Sequence, residues 1–417
     1  MDATDHPASP ISRNPQFLKF WFARIFATGS LQILAVCVGW QVYDLTNSAL
    51  DLGLVGLFQF IPAVMFVLIA GHAADHYHRG RVIQLAQAVA GLVAGMLAIG
   101  TAFGFLTREM IFALVFFLGV SRAFELPTLH ATLPGLVPAS VLPRAVAASA
   151  SANQAATIGG PALGGLLYAI NPTLAYLTAF AFLLAASTLI ALIRIERVKS
   201  TREPLAFSVL FAGIDFIRRH PLILGAISLD LFAVLLAGAT ALLPIFARDV
   251  FLTGPVGLGL LRAAPAIGAL IMAITLARWP LGSRAGLKMF AGVAVYGVAT
   301  MAFSLSTSFP IAMACLFVLG AADMVSVVVR QTIVPLHTPD EMRGRVNAVS
   351  SLFVGTSNQL GDFRAGAMAA AFGAVASVLI GGIGTLLIVA LWMRLFPQLL
   401  RVDRLDAAQP RSIKPSA

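Results

Sequence analysis

Long apolar stretches divided by short polar punctuation run through almost the whole chain. A bilayer core is crossed by about 20 apolar residues of helix, because lipid offers no hydrogen bonds and each span has to satisfy its own backbone. Twelve such segments can be laid down: Trp21 to Tyr43, Leu50 to Ala70, Val82 to Phe105, Met110 to Leu133, Ala145 to Ile170 and Thr173 to Ile193, then Leu222 to Ala247, Val256 to Ala277, Met289 to Ser308, Pro310 to Val334, Val346 to Phe372 and Val375 to Met393. The pattern predicts an all-α membrane protein of twelve transmembrane helices. Ile195 to Pro221 interrupts it, and the amphipathic piece Phe207 to Arg219 within that stretch is expected to lie on the cytoplasmic membrane surface.

The second half repeats the punctuation of the first. Pro15 and Arg24 recur 206 positions on as Pro221 and Asp230, and Gly56, Gln59, Pro62 and Arg81 recur 203 positions on as Gly259, Arg262, Pro265 and Arg284. Gly119, Arg122, Pro134, Pro138, Arg144, Ala147 and Ser149 recur 201 positions on as Gly320, Asp323, Pro335, Pro339, Arg345, Ala348 and Ser350. Ordered matches that include loop arginines indicate a duplicated bundle. The organisation expected is a six-helix bundle over 1–194, a cytoplasmic linker over 195–221, and a second six-helix bundle with a cytoplasmic tail over 222–417.

Composition narrows the function. Of 417 residues 59% are hydrophobic and 11% charged, with mean hydropathy +0.90, whereas soluble domains average about 45–50% and about 25%. Soluble, disordered and collagen-like chains are excluded. Cys37 and Cys315 lie far apart in apolar runs, so neither a disulfide framework nor a cysteine zinc site is expected. No Gly-Lys pair, HExxH or GxSxG occurs, which argues against an ATPase, a metalloprotease or a serine hydrolase, and for a protein that is not an enzyme and holds no cofactor or metal. The net charge of +10 reflects topology rather than nucleic-acid binding. Arg79, Arg81, Arg144, Arg194, Arg197, Lys199, Arg218, Arg219, Arg278, Arg284, Arg343, Arg345 and Arg394 fall in the loops of one side, and Arg108 and Arg248 alone on the other. The positive-inside rule then makes both termini cytoplasmic. No removable signal peptide is expected before Phe17.

After the second segment, Gly71-His-Ala-Ala-Asp75-His-Tyr-His-Arg79-Gly80-Arg81 resembles the G-x-x-x-D-R-x-G-R-R loop of the major facilitator superfamily. In the fifth segment, Gly160-Pro161-Ala-Leu-Gly164-Gly165 is similar to that superfamily's antiporter motif, with Ala147 and Ala156 where its longer form has glycine. Arg122 to Pro127, Leu133 to Pro138 and Arg343 to Gly361 resemble its exporter branch, the transmembrane secretion effector type that includes the enterobactin exporter. The resemblance implies two bundles rocking about a cavity lined by spans one, four, seven and ten, and a cytoplasmic latch at Gly71, Asp75, Arg79 and Arg81. It also implies efflux across the inner membrane.

Charges inside spans are costly and normally face a cavity and a partner. The candidates are Arg24, Arg122, Glu125, Asp230, Arg262, Asp323, Arg330, Asp362 and Arg364. Repeat equivalence sets Arg24 against Asp230 and Arg122 against Asp323. Either Glu125, Asp230 or Asp323 exchanges a proton while an arginine controls it, or these groups form permanent ion pairs. Asp362 and Arg364 read as local helix pairing. His72, His76 and His78 read as solvated at the membrane edge, and the small-residue repeats such as Gly91-x-x-x-Gly95 as packing. The function expected is a monomeric, proton-coupled secondary exporter of a small amphiphilic or hydrophobic molecule, drug or siderophore in type, with lipid around it. The alternatives are an importer of the same fold and a membrane receptor that no longer transports.

Overall fold

The computed structural model describes residues 14–193 and 207–403, and among them only helices, turns and loops occur. The first six long helices are α1 (Pro15–Thr46), α2 (Ala49–His76), α3 (Arg79–Ala102), α4 (Arg108–Thr132), α5 (Leu142–Ile170) and α6 (Pro172–Ala191). After α7 (Phe207–Arg219) come α8 (Pro221–Ala237), the single turn α9 (Leu243–Ile245), α10 (Gly254–Arg278), α11 (Ala285–Leu305), α12 (Phe309–Leu336), α13 (Asp340–Phe372), α14 (Ala374–Leu395) and the short α15 (Pro397–Leu400). Polar residues set the ends. The Asn14 side chain accepts from the Gln16 and Phe17 N–H groups ahead of Pro15, and Asn47 closes α1 in the left-handed region at φ 50°. Asn171 ends α5 and caps α6 through the Thr173 N–H at 2.8 Å.

Ten helices among the described residues are long and apolar enough to cross a membrane. Two of the twelve expected spans, α5 with 29 residues and α13 with 33, have the length without the hydropathy. Their position explains this. The two halves touch chiefly where α5 packs on α10 and α13 on α2, and a helix seated between protein neighbours needs small residues for close approach more than apolar bulk.

The repeat found in the sequence is built into the packing. A Cβ at Gly119 would lie 2.5 Å from Pro62 Cγ, and one at Gly320 only 1.9 Å from the Pro265 carbonyl oxygen. Gly160 abuts the Gly29 carbonyl of α1, and its equivalent Gly361 abuts the Leu235 carbonyl of α8. Backbones thus meet at equivalent places in both halves.

One element departs from the sequence reading. The Leu222 to Ala247 segment is not one helix: α8 stops at Gly238, in the left-handed region at φ 46°, and continues as a 3-10 turn (Ala239–Leu242), α9 and a π-turn (Phe246–Val250). The amphipathic α7 packs on α13, where Ile217 is buried with Val346 and Val349. The linker residues 194–206 lie outside the described ones.

Candidate functional site

A cavity of about 300 Å³ opens between the halves. Its polar wall is Gln154 of α5, Tyr296 of α11, Asp323 of α12 and Asn358 and Asp362 of α13; Leu316 and Leu319 give it an apolar face. Gln154 crosses between halves, its Nε2 donating to the Ala266 carbonyl at 2.8 Å. The broken backbone at Gly238, Ala239 and Thr240 completes the lining, as irregular backbone at membrane depth does where it borders a cavity.

Beside the cavity, Asp230 of α8 and Arg330 of α12 form an ion pair at 3.1 Å, both side chains buried. Asp323 lies two helical turns before Arg330 and makes no hydrogen bond or ion pair among the described residues. It sits within electrostatic range of both partners of that pair. Arg330 belongs to the buried set read from the sequence but not to its short list of coupling residues. Seven-residue spacing from Asp323 on one helix was the available signal.

The first half arranges its charges differently. Glu125 of α4 is buried at 3% exposure and accepts from Gln87 Nε2 of α3 at 2.8 Å. Arg24 and Arg122 both lie in its electrostatic range, and Arg122 remains open to solvent. Arg122 therefore groups with Glu125, three residues along the helix, while Asp323 groups with Asp230 and Arg330. Arg262 of α10 lies in range of Asp362, and its Nε is buried without a hydrogen-bond partner. Gln87 was not picked out from the sequence, although it is one of two amides, with Gln84, in a mainly apolar span.

At the end of the molecule remote from Pro15, the halves are tied across the pseudo-two-fold axis. Tyr43 donates its hydroxyl to Asp249, and Arg248 donates to the Tyr43 carbonyl at 3.2 Å, pairs with Asp44 at 3.5 Å and stacks over the Tyr43 ring. Tyr43 and Asp249 stand 206 positions apart, the same offset as Pro15 and Pro221.

Asp362 and Arg364 do not pair with each other. Arg364 Nε donates to the Leu235 carbonyl at 3.0 Å and an Nη to the Leu236 carbonyl, both on the last turn of α8. Asp362 accepts from Thr240 Oγ1 at 3.2 Å, just past the break.

The description of transmembrane secretion effectors, MFS_3, matches residues 6–415. The chain belongs to the transmembrane secretion effector family. It is 28% identical over 405 residues to the enterobactin exporter EntS of Escherichia coli O139:H28, covering 94% of each chain, and 28% identical over 392 residues to EntS of Shigella dysenteriae serotype 1, covering 91% of each. In fold it resembles a bacterial homologue of the human lysosomal transporter Spinster in an inward-facing, unoccupied conformation, with TM-score 0.74, 11% identity and coverage of 94% of this chain and 98% of that one. It also resembles a bacterial homologue of the iron transporter ferroportin in an inward-facing state, with TM-score 0.67, 17% identity and coverage of 92% and 98%. The chain is a multi-pass membrane transporter of the major facilitator type, not an enzyme.

Its motif residues take distinct places. Gly71 is buried in α2, and Arg79, at the start of α3, donates to the Ala131 carbonyl at 2.7 Å at the end of α4. Arg81 is exposed; the Asp75 side chain lies outside the described ones. Gly160 and Gly164 face α1, and Gly165 lies against Pro255 and Gly259 of α10, with Pro161 beside them.

Proposed function

We propose that this chain is a proton-coupled exporter of a small amphiphilic or hydrophobic molecule, working by alternating access as a monomer of two six-helix bundles, 1–194 and 222–417, joined by 195–221. Both termini are cytoplasmic in this reading, in the inner membrane, because the loop arginines and lysines gather on that side. The end closed by Tyr43 and Asp249 then lies on the side away from the cytoplasm, and the cavity faces inward. The observation that carries proton coupling is Asp323: a carboxylate without a partner, at the cavity wall, beside a buried Asp230–Arg330 pair. A carboxylate in a poorly hydrated cavity favours its neutral form and a nearby guanidinium favours the charged form, so rocking between the two loads and releases a proton. Arginine stays protonated throughout and acts as the counter-charge. Glu125, held by Gln87 near Arg24 and Arg122, is the corresponding group of the first half. The direction of transport follows the relatives, which are named exporters.

The test is transport in proteoliposomes under an imposed pH gradient, with enterobactin and ethidium as probes. Wild type is expected to move one of them against the proton flow that the gradient drives, and Asp323→Asn to lose that drive while keeping exchange. Gradient-driven transport that persists in Asp323→Asn, Glu125→Gln and the double variant removes both residues from the proton path.

A further inference from the structure

The span formed by α8 and the turns after it is interrupted at the cavity, and the interruption is capped from both sides by a single turn of α13. Where α8 stops, its last carbonyls lose their helical donors, and buried backbone groups left unpaired are costly. Arg364 supplies the missing donors to Leu235 and Leu236, placing a cation at the negative end of the helix. Two residues earlier, Asp362 accepts from Thr240 on the far side of the break and faces the Ala241 N–H. The contact is close because of Gly238, where a Cβ would lie 2.5 Å from the Gly361 carbonyl oxygen.

The first half provides the control. Its corresponding helix, α1, runs unbroken for 32 residues. At the repeat offset, Pro161 stands where the second half has Asp362, Leu163 where it has Arg364, and Gln32 where it has Gly238. The break and both of its caps therefore occur together in one half and are all missing from the other. The interrupted segment also joins two functional places, since Gly238 to Thr240 line the cavity and Arg248 and Asp249 hold the far closure.

We propose that Asp362 and Arg364 are positioning residues that hold this break as a hinge, so that the segment Ala239 to Val250 swings as the gate while α8 stays seated in its bundle. The inference rests on the alternating-access reading above. Thr240 is exposed to the cavity, so the Thr240–Asp362 bond is the cap open to competition from cavity contents, and the half-buried Arg364 contacts are the lasting anchor.

Spin labels at Leu45 and Leu252, both exposed on either side of the closure, report gate opening by pulsed electron spin resonance. The full chain is used in liposomes, with Cys37 and Cys315 replaced. Wild type is expected to give mainly the short distance. Arg364→Gln and Asp362→Ala should each raise the ratio of long to short distances about tenfold, Arg364→Lys should restore it, and Leu163→Gln in the first half should leave it unchanged. A purely structural cap would lower the thermal midpoint in Arg364→Gln and Asp362→Ala with the distance distribution unmoved, and that result overturns the hinge. Should Arg364→Gln not assemble in the membrane, Asp362→Ala decides alone by the same criterion. Wild-type vesicles without substrate flux would reject the transport reading and leave the distance comparison readable.

Discussion

Equivalent positions of the two halves carry opposite charges on the same backbone frame. Arg24 and Arg122 of the first half correspond to Asp230 and Asp323 of the second, while Glu125 corresponds to Ser326 and Leu129 to Arg330. The glycine contacts, Gly119 on Pro62 and Gly320 on Pro265, stay put. Backbone approach is set by distances that admit no Cβ, so those positions cannot drift after duplication. A buried charge is constrained only to find a partner, and each half has found one of a different kind: an amide for Glu125, a guanidinium for Asp230.

That difference predicts unequal costs. Arg330→Met strands a buried aspartate and should destabilise the protein by about 3–5 kcal/mol, whereas Asp230→Asn combined with Arg330→Met should recover most of the loss; thermal unfolding in detergent measures both. Next in size are the glycine pairs. Both meet a backbone oxygen, that of Pro265 at 1.9 Å for Gly320 and that of Gln59 at 2.6 Å for Gly119, so Gly320→Ala should cost more than Gly119→Ala within the roughly 1–3 kcal/mol of overpacking; equal midpoints would mean that the halves relax alike. Gln87→Leu removes the donor to Glu125 and should cost about 1–3 kcal/mol, less than Arg330→Met, because Glu125 keeps Arg24 and Arg122 within electrostatic range whereas Asp230 loses the arginine it is paired with. The smallest effect is expected at the closure, where Tyr43→Phe gives up one hydrogen bond, about 0.5–1.5 kcal/mol, and should register in gate distances before it registers in stability.

Much of this was legible in the sequence. Helix positions followed from apolar length, and the repeat followed from prolines, glycines and loop arginines that have to recur where backbones meet. The break at Gly238 was not legible, because one glycine between apolar neighbours reads equally as a packing site, and its conformation depends on Arg364, 126 positions away. Asp362 and Arg364 read as partners by spacing alone, since sequence gives no sign that freed carbonyls lie opposite. The low hydropathy of α5 and α13 was visible, but its cause, contact with α10 and α2, is tertiary. Pairing of Arg122 with Asp323 was suggested by symmetry, which relates positions without bringing them into touch.

The Tyr43–Asp249 contact bears on ancestry. Residues at equivalent positions that meet on a two-fold axis would, in a dimer of identical halves, each face their own copy. Two copies of Asp249 would repel, and two copies of Tyr43 would meet as neutral hydroxyls with no carboxylate between them. A phenol facing a carboxylate is open only to a chain whose halves are encoded separately and free to diverge. Fusion into one polypeptide thus made available a closure that no symmetric assembly of either half is able to form.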